Sequence, residues 1–355
     1  MVPAGYTATA PITRIMALIE AQGFDTAAIK RRLNLSSNEY SNPDLVSLER
    51  GFDAIVDLVT LAEWRHPGVT LGRIIASELT CMHLKLAARV SNVGEWLALI
   101  PATEALIGDL GAMRVEVTEK TTEFAWTISL PEHPAAHLFC EAMIVATARN
   151  IDDVMVAHYP PVGAELSGWR KNAHTSTDGR TPALSVLERE LRCDVSNSQH
   201  AALLRYGPDL LNRATHQVTG QLPLETSFVQ SHVDDMALHD TFVIDASQAI
   251  LSQLAINRGC IDGVASQLAM STRTLQRRLS DRGFSYTGLV TALRQSRSKH
   301  LLLNSELSID QIAVQLGYDR ANAFGAAFRR WWGESPARYR RMHAGSLEAS
   351  HPTQR

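Results

Sequence analysis

The chain has 355 residues, 45% of them hydrophobic, which is enough apolar content for two domains with proper cores. Its net charge of −3 conceals an asymmetry: residues 250–345 hold 14 Lys and Arg against 6 Asp and Glu, a net +8, and the other 20 basic and 31 acidic residues leave −11 elsewhere. No apolar run approaches the ~20 residues that span a bilayer, and the four cysteines (Cys81, Cys140, Cys193, Cys260) lack the spacing of a disulfide framework or a zinc site.

Met1 to Thr13 lacks a basic start followed by an apolar run, so no signal peptide is expected and a reduced cytoplasm is the expected compartment. Ile12, Ile15, Met16 and Ile19 predict a helix over 12–22 that ends at Gly23, and Asp25 is placed to cap a second helix over 26–33. A polar loop over 34–43 leads into a longer helix over 48–63. Residues 90–100 and 101–107 read as helical again, and two alternating segments, 113–119 and 123–130, predict a hairpin about Lys120-Thr121-Thr122.

A long, mostly apolar helix is expected over 137–158, at the centre of a domain or at a dimer contact. Pro160-Pro161 breaks it, and the stretch to Pro182 reads as a polar loop with Trp169 as its only large anchor. A short helix over 184–191 follows, and residues 193–195 and 201–206 read as edge strands. The first half is therefore mixed α and β, mainly helical. Periodicity fades over 216–239, the expected linker, and returns in a helix over 241–257.

The densest pattern lies from Gly263 to Arg340, where one small device is written twice. Val264-Ala265 and Leu268 precede Ser271-Thr272-Arg273-Thr274-Leu275-Gln276-Arg277-Arg278-Leu279; Ile312-Ala313 and Leu316-Gly317 precede Asp319-Arg320-Ala321-Asn322-Ala323-Phe324, closing on Phe328-Arg329-Arg330. In each copy an apolar helical edge ends at a break, and a polar residue, Ser271 or Asp319, is placed to cap the next helix. Leu275 and Leu279, and Phe324 and Phe328, give the second helix an apolar edge for packing. This is the pattern of a helix-turn-helix, whose second helix enters the DNA major groove. The copies are offset by 48 residues, and the second adds one residue in its turn. Between them, residues 285–303 predict a single helix with Tyr286, Leu289, Val290, Leu293, Leu301 and Leu302 on its apolar side. About 19 residues at 1.5 Å each give roughly 28 Å, close to the ~34 Å between successive major-groove openings on one face of DNA.

The run Leu275-Gln276-Arg277-Arg278-Leu279, the step Ile312-Ala313…Leu316-Gly317-Tyr318, and Phe324…Phe328-Arg329-Arg330-Trp331…Gly333-Glu334-Ser335-Pro336…Tyr339-Arg340 resemble the AraC/XylS family of bacterial transcription regulators over about 80 residues. Residues from about 12 to 211 resemble, more weakly, the arabinose-binding-type effector domain of one branch of that family. The resemblance implies an effector-binding and dimerising domain over 1–215, a linker over 216–239, a DNA-binding domain over 240–342 and a disordered tail over 343–355. The expected fold class is thus mainly α with a small α+β part: a mixed α/β first domain, then an all-α tandem helix-turn-helix.

Arg bonds guanine O6 and N7 together, and Gln does the same to adenine N6 and N7. The resemblance assigns base contacts to Arg273, Gln276 and Arg277, which share one helix face, and to Asn322 in the second copy. There, Gly325 and Ala326 stand where the family often has polar or basic residues, so Arg273 is expected to matter more for specificity than Asn322. Thr272, Arg278, Arg320, Arg329 and Arg330 are candidates for phosphate contact, which sets affinity and register. The expected partners are double-stranded DNA, RNA polymerase, a second copy of the chain and a small-molecule effector whose pocket residues the sequence does not name.

No enzyme is expected and no cofactor. His133, His137, Cys140 and Glu141 are the only cluster from which a metal or catalytic site can be imagined, but Pro134 interrupts it, the pattern His-Glu-x-x-His is absent and no second ligand group follows. A phosphate-cradling Gly-rich loop and a Gly-x-Ser-x-Gly elbow are absent as well. A regulator that binds DNA without an effector, its first half only dimerising or touching RNA polymerase, is the alternative reading; a DNA-tethered enzyme is the more remote one.

Overall fold

The computed structural model describes residues 6–33, 45–100, 110–167, 182–198, 202–216, 241–281 and 284–348. The helix expected over 101–107, Trp169 and nearly all of the expected linker lie outside the described residues.

The first region opens with a small antiparallel pair, β1 (Tyr6–Ala8) and β2 (Leu45–Ser47), beside α1 (Thr9–Glu20), α2 (Ala27–Leu33) and α3 (Leu48–Leu61). Asp25 plays its expected part, its Oδ1 accepting from the Ala27 N–H at 2.8 Å. Two long helices, α4 (Pro67–Ala87) and α6 (Ala136–Val154), pack along each other, with the short α5 (Val93–Leu97) between them in sequence. Gly72 permits that approach: a Cβ there would come 2.6 Å from the Ala142 carbonyl oxygen and 2.6 Å from Val145 Cβ.

Against α6 lies a five-stranded sheet of β3 (Gly111–Val117), β4 (Thr122–Ile128), β5 (Gly163–Ser167), β6 (Val195–Ser198) and β7 (Ala202–Tyr206), in the order β3-β4-β7-β5-β6. Only β5 and β6 run parallel. Trp126 Nε1 donates to Thr147 Oγ1 at 3.0 Å and ties the sheet to α6. Arg205 on β7 bridges Glu123 at 2.8 Å and Glu165 at 2.7 Å, so one guanidinium spans three neighbouring strands. The helix α7 (Pro182–Leu191) supplies Glu190, which pairs with Arg73 of α4 and with Arg149 of α6.

The hairpin forms as expected, but β7 is a central strand and not an edge. Four of its five residues are buried, so it reads as a nearly continuous apolar run without alternation. Within the expected loop of 160–182, residues 163–167 form β5, whose short polar-interrupted sequence carries no alternating signal of its own. The helix expected over 90–100 is confined to Val93–Leu97, capped by Asn92, whose side chain accepts from the Glu95 N–H at 2.9 Å.

The C-terminal region is all helix: α8 (Thr241–Asn257), α9 (Ile261–Gln267), α10 (Thr272–Ser280), α11 (Tyr286–Asn304), α12 (Ile309–Gln315), α13 (Ala321–Trp332) and α14 (Pro336–Glu348). It holds two cores. Leu254, Val264, Leu275, Leu279 and Leu289 belong to the first, with α8; Leu302, Ile312, Phe324, Phe328 and Tyr339 belong to the second. Burying a side chain the size of Phe324 or Phe328 contributes roughly 1.5–3 kcal/mol. The last helix continues to Glu348, past residue 342, where the tail was expected to begin.

Candidate nucleic-acid interface

The two units repeat bond by bond. Leu268, Ala269 and Met270 donate to Val264, Ser266 and Ala265; Leu316, Gly317 and Tyr318 donate to Ile312, Val314 and Ala313, each partner 48 residues later. At the centre of both turns the backbone is left-handed, φ +52° at Ala269 and +74° at Gly317. A turn of that hand redirects the chain between two helices that pack at a steep angle.

The caps then differ. Ser271 accepts from the Thr274 N–H at 3.1 Å, as expected. Asp319 does not cap α13: the N-cap is Arg320, which makes no side-chain cap bond, and Asp319 instead ion-pairs with Arg258. The extra residue in this turn moves the carboxylate out of reach of the first-turn amides. A complete capping box appears one helix earlier, where Ser308 and Gln311 exchange bonds at 3.2 and 2.8 Å at the start of α12.

On α10 the buried edge is Leu275 and Leu279, and Arg273, Gln276 and Arg277 all lie exposed on the outer side. On α13 the buried edge is Phe324, Ala327 and Phe328, with Asn322, Ala323, Ala326, Arg329 and Arg330 exposed. With the one-residue insertion the copies align at 49, so Asn322, Gly325, Ala326 and Arg329 match Arg273, Gln276, Arg277 and Ser280 on one helical face. The first unit therefore presents three long polar side chains, and the second presents Asn322, a bare backbone step at Gly325 with open space around it, and then Arg329. Among the described residues the side chains of Arg273, Gln276, Arg277, Asn322, Arg320, Arg329 and Arg330 make no hydrogen bond or ion pair. Arg278 is engaged, its guanidinium 5.0 Å above the Phe242 ring of α8, and Thr272 is half-buried at the start of α10.

Between the units, α11 runs 19 residues from its cap Ser285, about 28 Å of stiff helix. Arg294, which sequence reasoning missed, and Arg340, read from the sequence only within the family motif, fasten it. Arg294 donates to Leu316 O at 2.9 Å and to Arg258 O at 3.1 Å, and lies 5.0 Å from the Tyr318 ring. Arg340 donates to Leu302 O at 3.0 Å and Leu307 O at 2.8 Å, closing the far end. The signal available for Arg294 was a long cation on the otherwise apolar side of a predicted helix, in reach of two helix ends.

The histidines of the first region do not converge. His133 bonds Asp53 at 3.2 Å, His137 is exposed, burial pushes the Cys140 thiol up to about 11, and the Glu141 side chain accepts from the Val69 backbone. Among the described residues no group of three His, Cys, Asp or Glu is placed to hold a metal ion, and no helix is long and apolar enough to cross a membrane. A half-open groove of about 110 Å³ lies between α6 and α7, but its Arg149, Asp152, His158, Glu190 and Arg192 are paired with one another, which leaves it little to offer a ligand.

Two copies of one turn, each leading into a helix with an exposed polar face and joined through α11, define a tandem helix-turn-helix protein. Residues 264–342 match the family described as "Helix-turn-helix domain". Over 76 residues the chain is 43% identical to the HTH-type transcriptional regulator VqsM of Pseudomonas aeruginosa, a match covering 21% of this chain and 23% of that protein. Over 88 residues it is 36% identical to the HTH-type transcriptional activator RhaS of Escherichia coli O1:K1, covering 24% of this chain and 32% of that one. The crystal structure of the transcriptional regulator CdpR from Pseudomonas aeruginosa is 21% identical over 93% of this chain and 96% of its own, with a TM-score of 0.42, too loose a likeness to argue from. The chain thus spans less than a third of the length of these two curated relatives. Its residues 264–342 are a helix-turn-helix domain, similar to those of these regulators and in keeping with the resemblance to the AraC/XylS family.

Proposed function

We propose that this chain is a sequence-specific, DNA-binding transcription regulator that inserts α10 and α13 into successive major grooves from one side of the duplex. The observation that carries this reading is the pair of outward faces, Arg273-Gln276-Arg277 and Asn322-Gly325-Ala326-Arg329, presented by two copies of one turn on either side of α11, a helix about 28 Å long. Arg273, Gln276 and Arg277 read base edges, and Asn322 reads the second site. Thr272, Arg278, Arg320, Arg329 and Arg330 hold phosphates and set register. The residues before the linker form the effector-binding and dimerising half, a small molecule there shifts the placement of two modules in a homodimer, and RNA polymerase is the downstream partner. A cytoplasmic location follows from this role.

The test is a selection of bound duplexes from a random pool, with wild type and Arg273→Ala side by side. Two short motifs about 10 base pairs apart are expected, with one relaxed by the substitution. If nothing is enriched from wild type, with or without cell extract as a source of effector, sequence-specific binding is wrong.

A further inference from the structure

Among the described residues the sheet of the first region ends at β3, and an edge strand presents main-chain groups that need covering. On such a strand the outward groups recur at every second residue. Here they fall at Gly111, Met113 and Val115, and side chains of α11 meet all three. Lys299 Nζ donates to Gly111 O at 2.9 Å, Asn304 Nδ2 donates to Met113 O at 3.2 Å, and the Val115 N–H donates to Asn304 Oδ1 at 2.5 Å. Five residues of helix advance about 7.5 Å, comparable with the roughly 7 Å that two residues of strand advance, so α11 and β3 run side by side in the same sense. With both its donor and its acceptor engaged, Asn304 completes the sheet edge as the main chain of another strand would.

A second contact lies elsewhere on the module. Arg89, two residues past the end of α4, ion-pairs with Asp245 at 2.5 Å and donates to Gln248 Oε1 at 2.7 Å, both on α8. The helix α8 belongs to the core of the first unit, whereas the C-terminal half of α11 belongs to the core of the second. The first region therefore grips both units at once. The two cores share α11 and are tied by Arg258–Asp319 and by Arg294, and a body touching both units adds a further limit on their relative bending.

We infer that Arg89, Lys299 and Asn304 are positioning residues for DNA reading: through them the first region braces the two helix-turn-helix units and fixes the spacing at which α10 and α13 meet the duplex. The inference rests on the DNA-reading function proposed above. It makes preference for motif spacing a property of the full chain, and it gives the first region a direct mechanical hold on DNA selection, independent of which ligand it takes.

The experiment uses the full chain and the duplex that wild type enriches from a random pool, rebuilt with one base pair inserted or deleted between the two motifs. Wild type is expected to discriminate against both altered duplexes. Asn304→Ala and Arg89→Ala are each expected to shrink that discrimination by about fivefold, the scale of one net hydrogen bond, and Arg89→Lys, which keeps a cation opposite Asp245, is expected to retain it. Hydrogen exchange at the Val115 amide reports whether the seam has opened. Faster exchange in Asn304→Ala with unchanged spacing discrimination would mean that the contact merely covers a sheet edge, and the brace would be wrong. Fast Val115 exchange in wild type would overturn it too. Arg89→Ala lies at a partly exposed pair and tests the second grip even if Asn304→Ala folds poorly. If wild type enriches no duplex, the DNA-reading function fails and the brace with it, an outcome distinct from normal wild-type binding with unaltered variants.

Discussion

Ala269 and Gly317 stand at the same point of two copies of one turn, 48 positions apart, and both hold a left-handed backbone. Glycine adopts that conformation freely, whereas an alanine there costs roughly 1–2 kcal/mol. The first unit therefore carries a strain that the second avoids. Ala269→Gly is expected to raise the stability of the C-terminal module by about 0.5–1 kcal/mol, after allowing for the greater entropy of glycine in the unfolded chain. The reverse change should cost more than that gain, because a Cβ at Gly317 would come 2.6 Å from Leu254 O. Denaturant midpoints of the two variants measure both effects, and a lower midpoint for Ala269→Gly would show that the turn is not strained.

The two recognition helices are chemically unequal, so substitutions on them should be unequal as well. Arg273→Ala is expected to cost about 1–3 kcal/mol at its preferred base pair and to relax selection at that position. Asn322→Ala should cost less, since its neighbours on the face, Gly325 and Ala326, add no hydrogen bonds of their own. Arg329→Ala, if it loses a phosphate contact, weakens all sequences alike and lowers the slope of log affinity against log salt by about 1. Titrations at several salt concentrations against matched and mismatched duplexes separate these behaviours. An Asn322→Ala effect larger than that of Arg273→Ala would invert the assignment.

Gly325 offers a sharper discrimination. It lies inside α13 with no atom within 4 Å of where a Cβ would stand, so alanine fits the free protein and is expected to stabilise the helix by about 1 kcal/mol. If the bare step exists to let the backbone approach DNA, the same change lowers affinity while raising the melting temperature. Unchanged affinity would make Gly325 a position without a DNA role.

What the sequence disclosed follows from how locally each feature is encoded. The repeat at 48, the cap Ser271 and the apolar side of α11 depend on spacing within a few turns, and all appear in the structure as read. Two glycines, Gly68 and Gly72, dilute the helical signature of α4, and its partner α6 buries most of its residues, which leaves that helix little amphipathic contrast. The strand β7 was misplaced for the same reason, since burial on both faces removes alternation. Asp319 is an ordinary N-cap by residue type, but the inserted residue puts Arg320 in the cap position and Asp319 pairs with Arg258 instead. Of the candidate interface, the exposed positions were legible from periodicity, whereas the ties through Arg294, Asn304 and Arg89 join residues 22 to 191 positions apart.

The buried carboxylate of Glu141 makes the first region sensitive to pH. It is 5% exposed, and burial pushes its pKa up to about 7 against the stabilising Val69 amide. Its folded pKa is raised above the ordinary 4.5, so between those values the native state holds a proton that the unfolded state has lost. The contribution of Glu141 to stability should therefore fall as pH rises from about 4.5 to about 7 and level off above it, by an amount on the order of 3 kcal/mol, while buried His83, whose pKa burial lowers to about 3, contributes the opposite trend below about 6.5. Glu141→Gln keeps the shape of the neutral acid and removes the titration. It is expected to match wild type near pH 4.5 and to exceed it by a few kcal/mol at pH 8. Thermal midpoints of both proteins across that range decide the matter, and parallel curves would mean that Glu141 stays ionised in the folded chain, held by groups other than Val69.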